Sequence, residues 1–400
     1  MLLTIILFIA ILSVLVFVHE LGHYLSARKM GMGVDEFGLG FPPRLIGFQK
    51  LNKKGDNDGK AQKKWRLIKG PRQPKEIPGS EDSTIYSINW IPLGGFVKIK
   101  GEQGENSEEE NSFVHKKIWQ RMIVIAAGVV MNLIFAFVII SIGFSIGLPS
   151  MANEDLPPQA KISDPVLQIV QIQDETPASI AGVKAGDFII NVDGQTILTT
   201  SEFQNYTKTR INETLQLTVK RGSKELSIEL IPQDIDESGE GKIGVYLAET
   251  AIVSYPWYLA IWMGLKTTIS ITGQIIAAFY NLISDWIMRQ PIAVDIAGPI
   301  GIAALTGQVA QLGAIYILQF AAILSINLAI INSVPFPALD GGRFLFLAIE
   351  KIRGKAMNQR LENIINNTGF LILIGLVLLV TVQDISRFSD TIKSFFSNIF

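Results

Sequence analysis

Met1–Val18, Met122–Ala152, Ile296–Leu339 and Asn363–Gln383 carry no Asp, Glu, Lys or Arg. Each holds an apolar run of bilayer-crossing length, since about 20 helical residues span the hydrocarbon core. No water reaches backbone groups in that core, so such spans fold as helices. Composition agrees, with 48% of the 400 residues hydrophobic and 18% charged, too apolar for an ordinary soluble domain. The chain has no cysteine, which excludes disulfides and thiolate metal sites. A net charge of -1 and the lack of any aromatic–basic platform give no sign of nucleic-acid binding.

The expected architecture is a polytopic α-helical membrane protein with four transmembrane helices, a membrane-associated β-strand region and one extracytoplasmic α+β domain. A cleaved signal peptide does not fit the first span, 1–27, because no Lys or Arg precedes Arg28 and no small-residue cleavage site follows. Arg28 and Lys29 come after the apolar run, which places the N-terminus outside and residue 28 in the cytoplasm. Residues 28–121 then read as a basic cytoplasmic loop, with Lys53, Lys54, Lys60, Lys63, Lys64, Arg66, Lys69, Arg72 and Lys75 clustered in its middle. Within it, 84–102 reads as a hairpin-like strand pair beside the membrane, turning at Pro92-Leu93-Gly94-Gly95. The second span, 122–148, returns the chain outside. Residues 165–247 switch to an apolar period of two, with Leu215, Leu217 and Val219 before Arg221-Gly222-Ser223-Lys224 and Leu226, Ile228 and Leu230 after it. That predicts a small, strand-rich extracytoplasmic domain. Residues 251–312 read as interfacial amphipathic helices and a loop, because Pro256 and Lys266 interrupt the apolar pattern. The third span is 313–342, a cytoplasmic loop is 343–362, and the fourth span is 363–384.

Three histidines exist, and two of them form His19-Glu20-Leu21-Gly22-His23. Spacing of i, i+4 puts both imidazoles on one helix face, able to share a tetrahedral metal, with Glu20 beside them as a base for water. Ionisable groups inside a span are costly, so three in five residues mark a buried functional cluster. A catalytic zinc needs a third protein ligand and an open fourth position. Lys29 stands where soluble relatives of this motif place a third histidine, so the ligand must come from elsewhere. His115 lies in a polar loop and is a weak candidate. Asp340 closes an uncharged run after Pro335-Phe336-Pro337, a helix-breaking sequence that can turn a side chain inward. Depth agrees. His19 lies roughly 13 Å inside the cytoplasmic helix end at 1.5 Å per residue, and Asp340 reaches that level if its span also runs from outside to inside. Four spans satisfy this and five do not.

These residues resemble the site-2 protease family, specifically its bacterial RseP-like intramembrane zinc metalloproteases. Phe17–Tyr24 is similar to the family's metal motif, and Asn332–Gly342 to its second motif, down to two prolines and two glycines. Ile91–Lys98 resembles its membrane-reentrant strand region, and Gly128 with Asn132 its second-span pattern. The resemblance implies that His19, His23 and Asp340 are zinc ligands and Glu20 the general base. It implies that Gly94 and Gly95 belong to a substrate-binding strand region. Asn332 matches an asparagine associated with substrate handling, or else makes a helix–helix hydrogen bond, while Gly128 and Asn132 are expected to pack spans together. Residues 165–247 resemble a PDZ domain, with Pro177–Asp187 near its peptide groove. Three features depart from the family: a single PDZ-like module, Val129 where a proline often stands, and an inserted basic stretch over 50–80.

The implied activity is zinc-dependent cleavage of transmembrane segments in single-span membrane proteins, anti-sigma factors or remnant signal peptides, after an upstream site-1 protease has trimmed them. The implied location is the bacterial plasma membrane, with the N-terminus and PDZ-like domain extracytoplasmic. A non-proteolytic PDZ scaffold with a structural metal is the alternative, and a metal transporter is a further one. Intact Glu20 argues against the first, and the lack of further ligands along the spans against the second.

Overall fold

The computed structural model describes residues 2–53, 62–71, 80–81, 84–102, 109–151, 156–163, 165–173, 175–222, 224–236, 238–288 and 298–387. In chain order its elements are α1 (Leu2–Lys29), β1 (Val34–Lys53), β2 (Gln62–Lys69), β3 (Ser80–Glu81), β4 (Ile85–Ile99) and α2 (Ile118–Ile146). Then come β5 (Leu148–Met151), β6 (Lys161–Ile162), β7 (Val166–Ile172), α3 (Pro177–Ile180), β8 (Phe188–Val192), α4 (Thr200–Lys208), β9 (Leu215–Arg221), β10 (Lys224–Leu230) and β11 (Val245–Ser254). The chain ends with α5 (Trp257–Ile287), α6 (Pro299–Leu312), α7 (Ala314–Ser333), α8 (Asp340–Arg353) and α9 (Gln359–Arg387). They form two compact units, Met1–Ala136 with Thr268–Ala303 and Ala321–Phe400, and Phe137–Thr267 with Ala304–Phe320. The basic cluster expected around Lys54, Lys60, Arg72 and Lys75 lies outside the described residues.

In the first unit, four changes to the expected layout have physical causes. Residues 84–102 reverse direction at Pro92–Gly95 as expected, but the two arms do not pair with each other. The two halves of β4 flank β1 instead, with Gly38 between Phe96 and Ser87 and Leu39 between Gly95 and Ile88. The Pro-Leu-Gly-Gly sequence supplies a bend, but the edges find β1 as partner. Second, β1 occupies sequence read as loop, its strand masked by Pro42 and Pro43 and by charged residues. Third, the helix of the third span stops at Ser333 rather than 342, because Pro335 and Pro337 remove donors and push their preceding residues out of helical geometry. Fourth, 343–362 is largely helical. α8 opens at Asp340 and closes with Lys351 and Arg353 in its last turn and Gly354 left-handed beyond it, the usual way to satisfy terminal carbonyls.

The sheet of this unit buries polar groups beside apolar ones such as Phe37, Leu51 and Ile85. The buried face of β1 and β4 carries Glu36, Arg44, Ser87 and Asn89. Arg44 Nε donates to Glu36 Oε1 at 2.7 Å, and its second nitrogen also donates to that carboxylate. Asn89 donates to the Gly40 carbonyl at 2.7 Å. The opposite face exposes Leu39, Phe48, Leu67, Tyr86, Ile88 and Trp90.

The second unit contains a β domain whose sheet runs β10-β9-β8-β7-β11-β5, with β6 beside β11. The strands begin at Leu148, before the expected 165, and end at Ser254. β9 and β10 pair Leu215 with Leu230, Leu217 with Ile228 and Val219 with Leu226, putting both alternating series into one core. Leu167, Ile169, Ile189, Phe203 and Ile243 complete it. Asp193 and Gly194 both take positive φ in the tight turn after β8, a conformation Asn, Asp and Gly adopt most easily. α4 opens on a capping box between Thr199 and Glu202.

Among the described residues, five helices are long and apolar enough to cross a membrane: α1, α2, α7, α9 and residues Trp257–Asp285 of α5. The fifth falls in the region expected to hold only interfacial helices. It is one continuous helix, because Lys266 interrupts polarity without breaking backbone hydrogen bonds.

Candidate metal centre

The uncharged first helix carries His19 and His23 one turn apart on the same face, 6% and 8% exposed. The Ser333–Leu339 link delivers Asp340 to them as the first residue of α8. His19 Nε2 lies 2.9 Å and His23 Nε2 3.1 Å from Asp340 Oδ2, and the two Nε2 atoms are 3.2 Å apart. Asp340 Oδ2 is buried yet makes no hydrogen bond of acceptable geometry. Three converging donor atoms at these separations fit a zinc ion well. Ligand bonds of roughly 2.0–2.2 Å in a tetrahedron put donors about 3.3 Å apart. Among the described residues no other group of three His, Cys, Asp or Glu side chains is gathered this way. His115 sits exposed beyond β4, outside the group.

The surroundings orient the imidazoles. His23 Nδ1 donates to the Val124 carbonyl of α2 at 2.8 Å, which leaves Nε2 as the lone-pair nitrogen facing Asp340. Asn132, fully buried on α2, lies 3.4 Å from His19 Nδ1, and its Oδ1 has no partner among the described residues. Turning that amide over lets the oxygen accept from His19 Nδ1–H and frees Nε2 in the same way. The Asn132 backbone is tied to α7, whose Ser325 hydroxyl donates to its carbonyl at 2.9 Å. Gly128 is equally involved, since a Cβ there would lie 2.4 Å from His23 Nε2 and 2.7 Å from His19 Cε1. Sequence reasoning gave Asn132 and Gly128 to span packing. They pack, but against the imidazoles, and nothing in the local sequence says which face of α2 meets them.

Glu20, half-buried on the next position of α1, has no hydrogen bond or ion pair among the described residues. Asn332 is half-buried in the last turn of α7, and no hydrogen bond joins it to the three ligand-type side chains among the described residues. Gly94 and Gly95 lie against α1. Gly94 takes a positive φ, and a Cβ would meet Val16 at 2.6 Å. One at Gly95 would meet the Gly38 carbonyl at 3.0 Å. Ser13 of α1 donates to the Pro92 carbonyl at 2.9 Å, pinning the same bend.

Two cavities reach Asp340. One, of about 470 Å³, is apolar and lined by Ile125, Val129, Val130, Pro335, Phe344 and Leu345 among others. The other, of about 490 Å³, is polar and lined by Glu102, Arg343, Glu362, Asn363 and Asn366 among others. Arg343 crosses the polar cavity to Glu102 at 2.5 Å.

The model of peptidase family M50 matches residues 7–54 and 75–376. The chain belongs to that family. The regulator of sigma-W protease RasP of Bacillus subtilis is 32% identical over 96% of this chain and 98% of that protein. The zinc metalloprotease RasP of Geobacillus kaustophilus is 30% identical over 96% and 98%. The PDZ domain of an SdrC-like protein from Listeria monocytogenes is 28% identical over 21% of this chain and 88% of that one, with a TM-score of 0.20. As an M50 peptidase the protein is a zinc metalloprotease and a multi-pass membrane protein, and the resemblance read in its two motifs holds over nearly the whole chain. The scaffold and transporter alternatives fall away.

Proposed function

We propose that His19, His23 and Asp340 hold the zinc, that Glu20 is the general base, and that the substrates are transmembrane segments of single-span membrane proteins. The observation that carries this reading is the convergence of three donor atoms, from α1 and α8, at the meeting point of an apolar and a polar cavity. The apolar cavity suits apolar side chains of a substrate and the polar one suits water. Bound zinc supplies a Lewis acid that polarises a carbonyl and makes water more acidic. Glu20 would take a proton from the attacking water and return it to the leaving amine. His23 and His19 would hold their tautomers through Val124 and Asn132. Gly95–Ile99 pairs only with β1 among the described residues, so its other edge could take an unwound substrate strand, with Gly94 and Gly95 shaping that edge. Asn332, near the end of α7, would contact substrate from the other side.

The membrane-associated character of 84–102 is supported by the inverted polarity of its sheet, whose apolar face would meet lipid. Four spans, with α5 in the interface, are supported by the two ends of α9. Near its start, Asn366 meets Ala338 (3.2 Å), and near its end Asp384 accepts from the Gly298 and Gly301 amides at 3.2 and 2.8 Å. Those points lie roughly 27 Å apart along a helix rising 1.5 Å per residue, about one membrane thickness. Gly298 would then lie on the outer face, as the four-span reading requires. The N-terminus and a PDZ-like β domain would be extracytoplasmic, in a bacterial plasma membrane. RasP is by name a regulator of sigma-W, which makes anti-sigma factors, with remnant signal peptides, the first substrates to try, after trimming by a site-1 protease.

The test is co-expression with a panel of tagged single-span proteins. Wild type should release a cytoplasmic fragment from at least one, and Glu20→Gln and Asp340→Asn should not. Cleavage undiminished in both variants would refute the assignment.

A further inference from the structure

The link that delivers Asp340 contains an unusual residue. Ala338 has φ +74°, in the left-handed region that L-residues other than Gly, Asn and Asp rarely adopt. Such a conformation persists only where its surroundings over-determine it. Two contacts from α9 do so here. The Ala338 N–H donates to Asn366 Oδ1 at 3.2 Å. Gly369, one turn further on, lets α9 close on the link, because a Cβ there would lie 2.5 Å from Pro337 Cβ and 2.7 Å from its carbonyl oxygen. The backbone on the other side is just as tight, with a Cβ at Gly342 meeting the Phe336 carbonyl at 2.3 Å. Ala338 lies two residues before Asp340, so its φ sets the direction in which the carboxylate leaves the link.

We infer that Asn366 and Gly369 are positioning residues for the third ligand: by holding Ala338 left-handed, α9 aims Asp340 at the two imidazoles. This rests on Asp340 being a zinc ligand. Without the Asn366 acceptor the Ala338 N–H loses its partner, the link relaxes toward negative φ, and Oδ2 moves from Nε2 of both histidines. Among the described residues α9 makes no hydrogen bond to either imidazole, and its contacts with the link are at Ala338 and Pro337.

The test measures zinc affinity of the full-length protein in detergent, by chelator competition, together with the visible spectrum of the cobalt-loaded form. Asn366→Leu keeps the size and removes the acceptor, and should weaken zinc binding about 10–100-fold and alter the cobalt spectrum, the scale found for residues that orient ligands. Asn366→Asp keeps an acceptor oxygen and should restore both. Gly369→Ala, read in parallel, should weaken binding as well, and decides the matter if Asn366→Leu does not fold. Wild-type affinity and spectrum in Asn366→Leu or, failing that, Gly369→Ala, with loss of zinc in Asp340→Asn, would overturn the positioning role alone. Wild-type affinity in Asp340→Asn would overturn the ligand assignment beneath it.

Discussion

Along β9 of the β domain, Leu215, Leu217 and Val219 are buried while Gln216 and Lys220 are exposed. Along β4, near the metal centre, Ser87 and Asn89 are buried while Tyr86, Ile88 and Trp90 are exposed. Both strands alternate with a period of two, but the polarity is reversed. In water the first arrangement is favoured, because each apolar side chain removed from solvent contributes roughly 1.5–3 kcal/mol. The second is stable only where the surroundings are themselves apolar. The difference fits the reading proposed above, in which the exposed face of β4 meets lipid while the unit keeps an ion pair, two imidazoles and a carboxylate in its interior. A polar interior is what hydrolysis inside a membrane requires.

The largest effect should come from that polar interior. Glu20→Gln should lower cleavage of a membrane substrate about 10²–10⁴-fold, the contribution of a general base, with zinc content unchanged by metal analysis. Next comes Gly128→Val, whose side chain would occupy the space of the imidazole nitrogens. Zinc affinity and activity should fall together by about 10–100-fold, measured on the same preparation. Glu36→Ala removes the carboxylate to which Arg44 donates twice and should destabilise the protein by about 1.5–3 kcal/mol in a denaturation titration, the scale of a hydrogen bond to a charged group. A pair of surface substitutions is the sharpest test of the comparison. Ile88→Lys on β4 should destabilise the bilayer-embedded protein, by up to about 2–4 kcal/mol if the position lies deep. Gln216→Lys at the equivalent exposed site of β9 should stay within about 0.5 kcal/mol. Equal tolerance at the two sites would break the contrast.

Much of this was legible in the sequence where the signal is local. His19 and His23 at helical spacing in an uncharged run, and Asp340 closing another behind two prolines, identify themselves, and the structure brings all three together. β9 and β10 were legible because their turn and alternation agree. What was missed depends on partners distant in the chain. β1 was hidden because a strand with charge inside and Phe48 outside looks like a loop to any rule that assumes water. Asn132 and Gly128 were assigned to packing because only the fold shows that α2 turns them toward the imidazoles. Asp340 opens α8 instead of ending the third span, a distinction that turns on where the backbone resumes helical hydrogen bonding after Pro337. Ala338 gives no sign of its left-handed backbone, since that conformation is imposed by Asn366 on α9.

The central claim is that two imidazoles and one carboxylate share a single zinc. X-ray absorption at the zinc edge of the purified protein tests it most directly. The expected spectrum has two imidazole nitrogens and further oxygen scatterers at roughly 2.0–2.2 Å, altered in Asp340→Asn. A zinc environment identical in wild type and Asp340→Asn, or one lacking the two-imidazole signature, would contradict it.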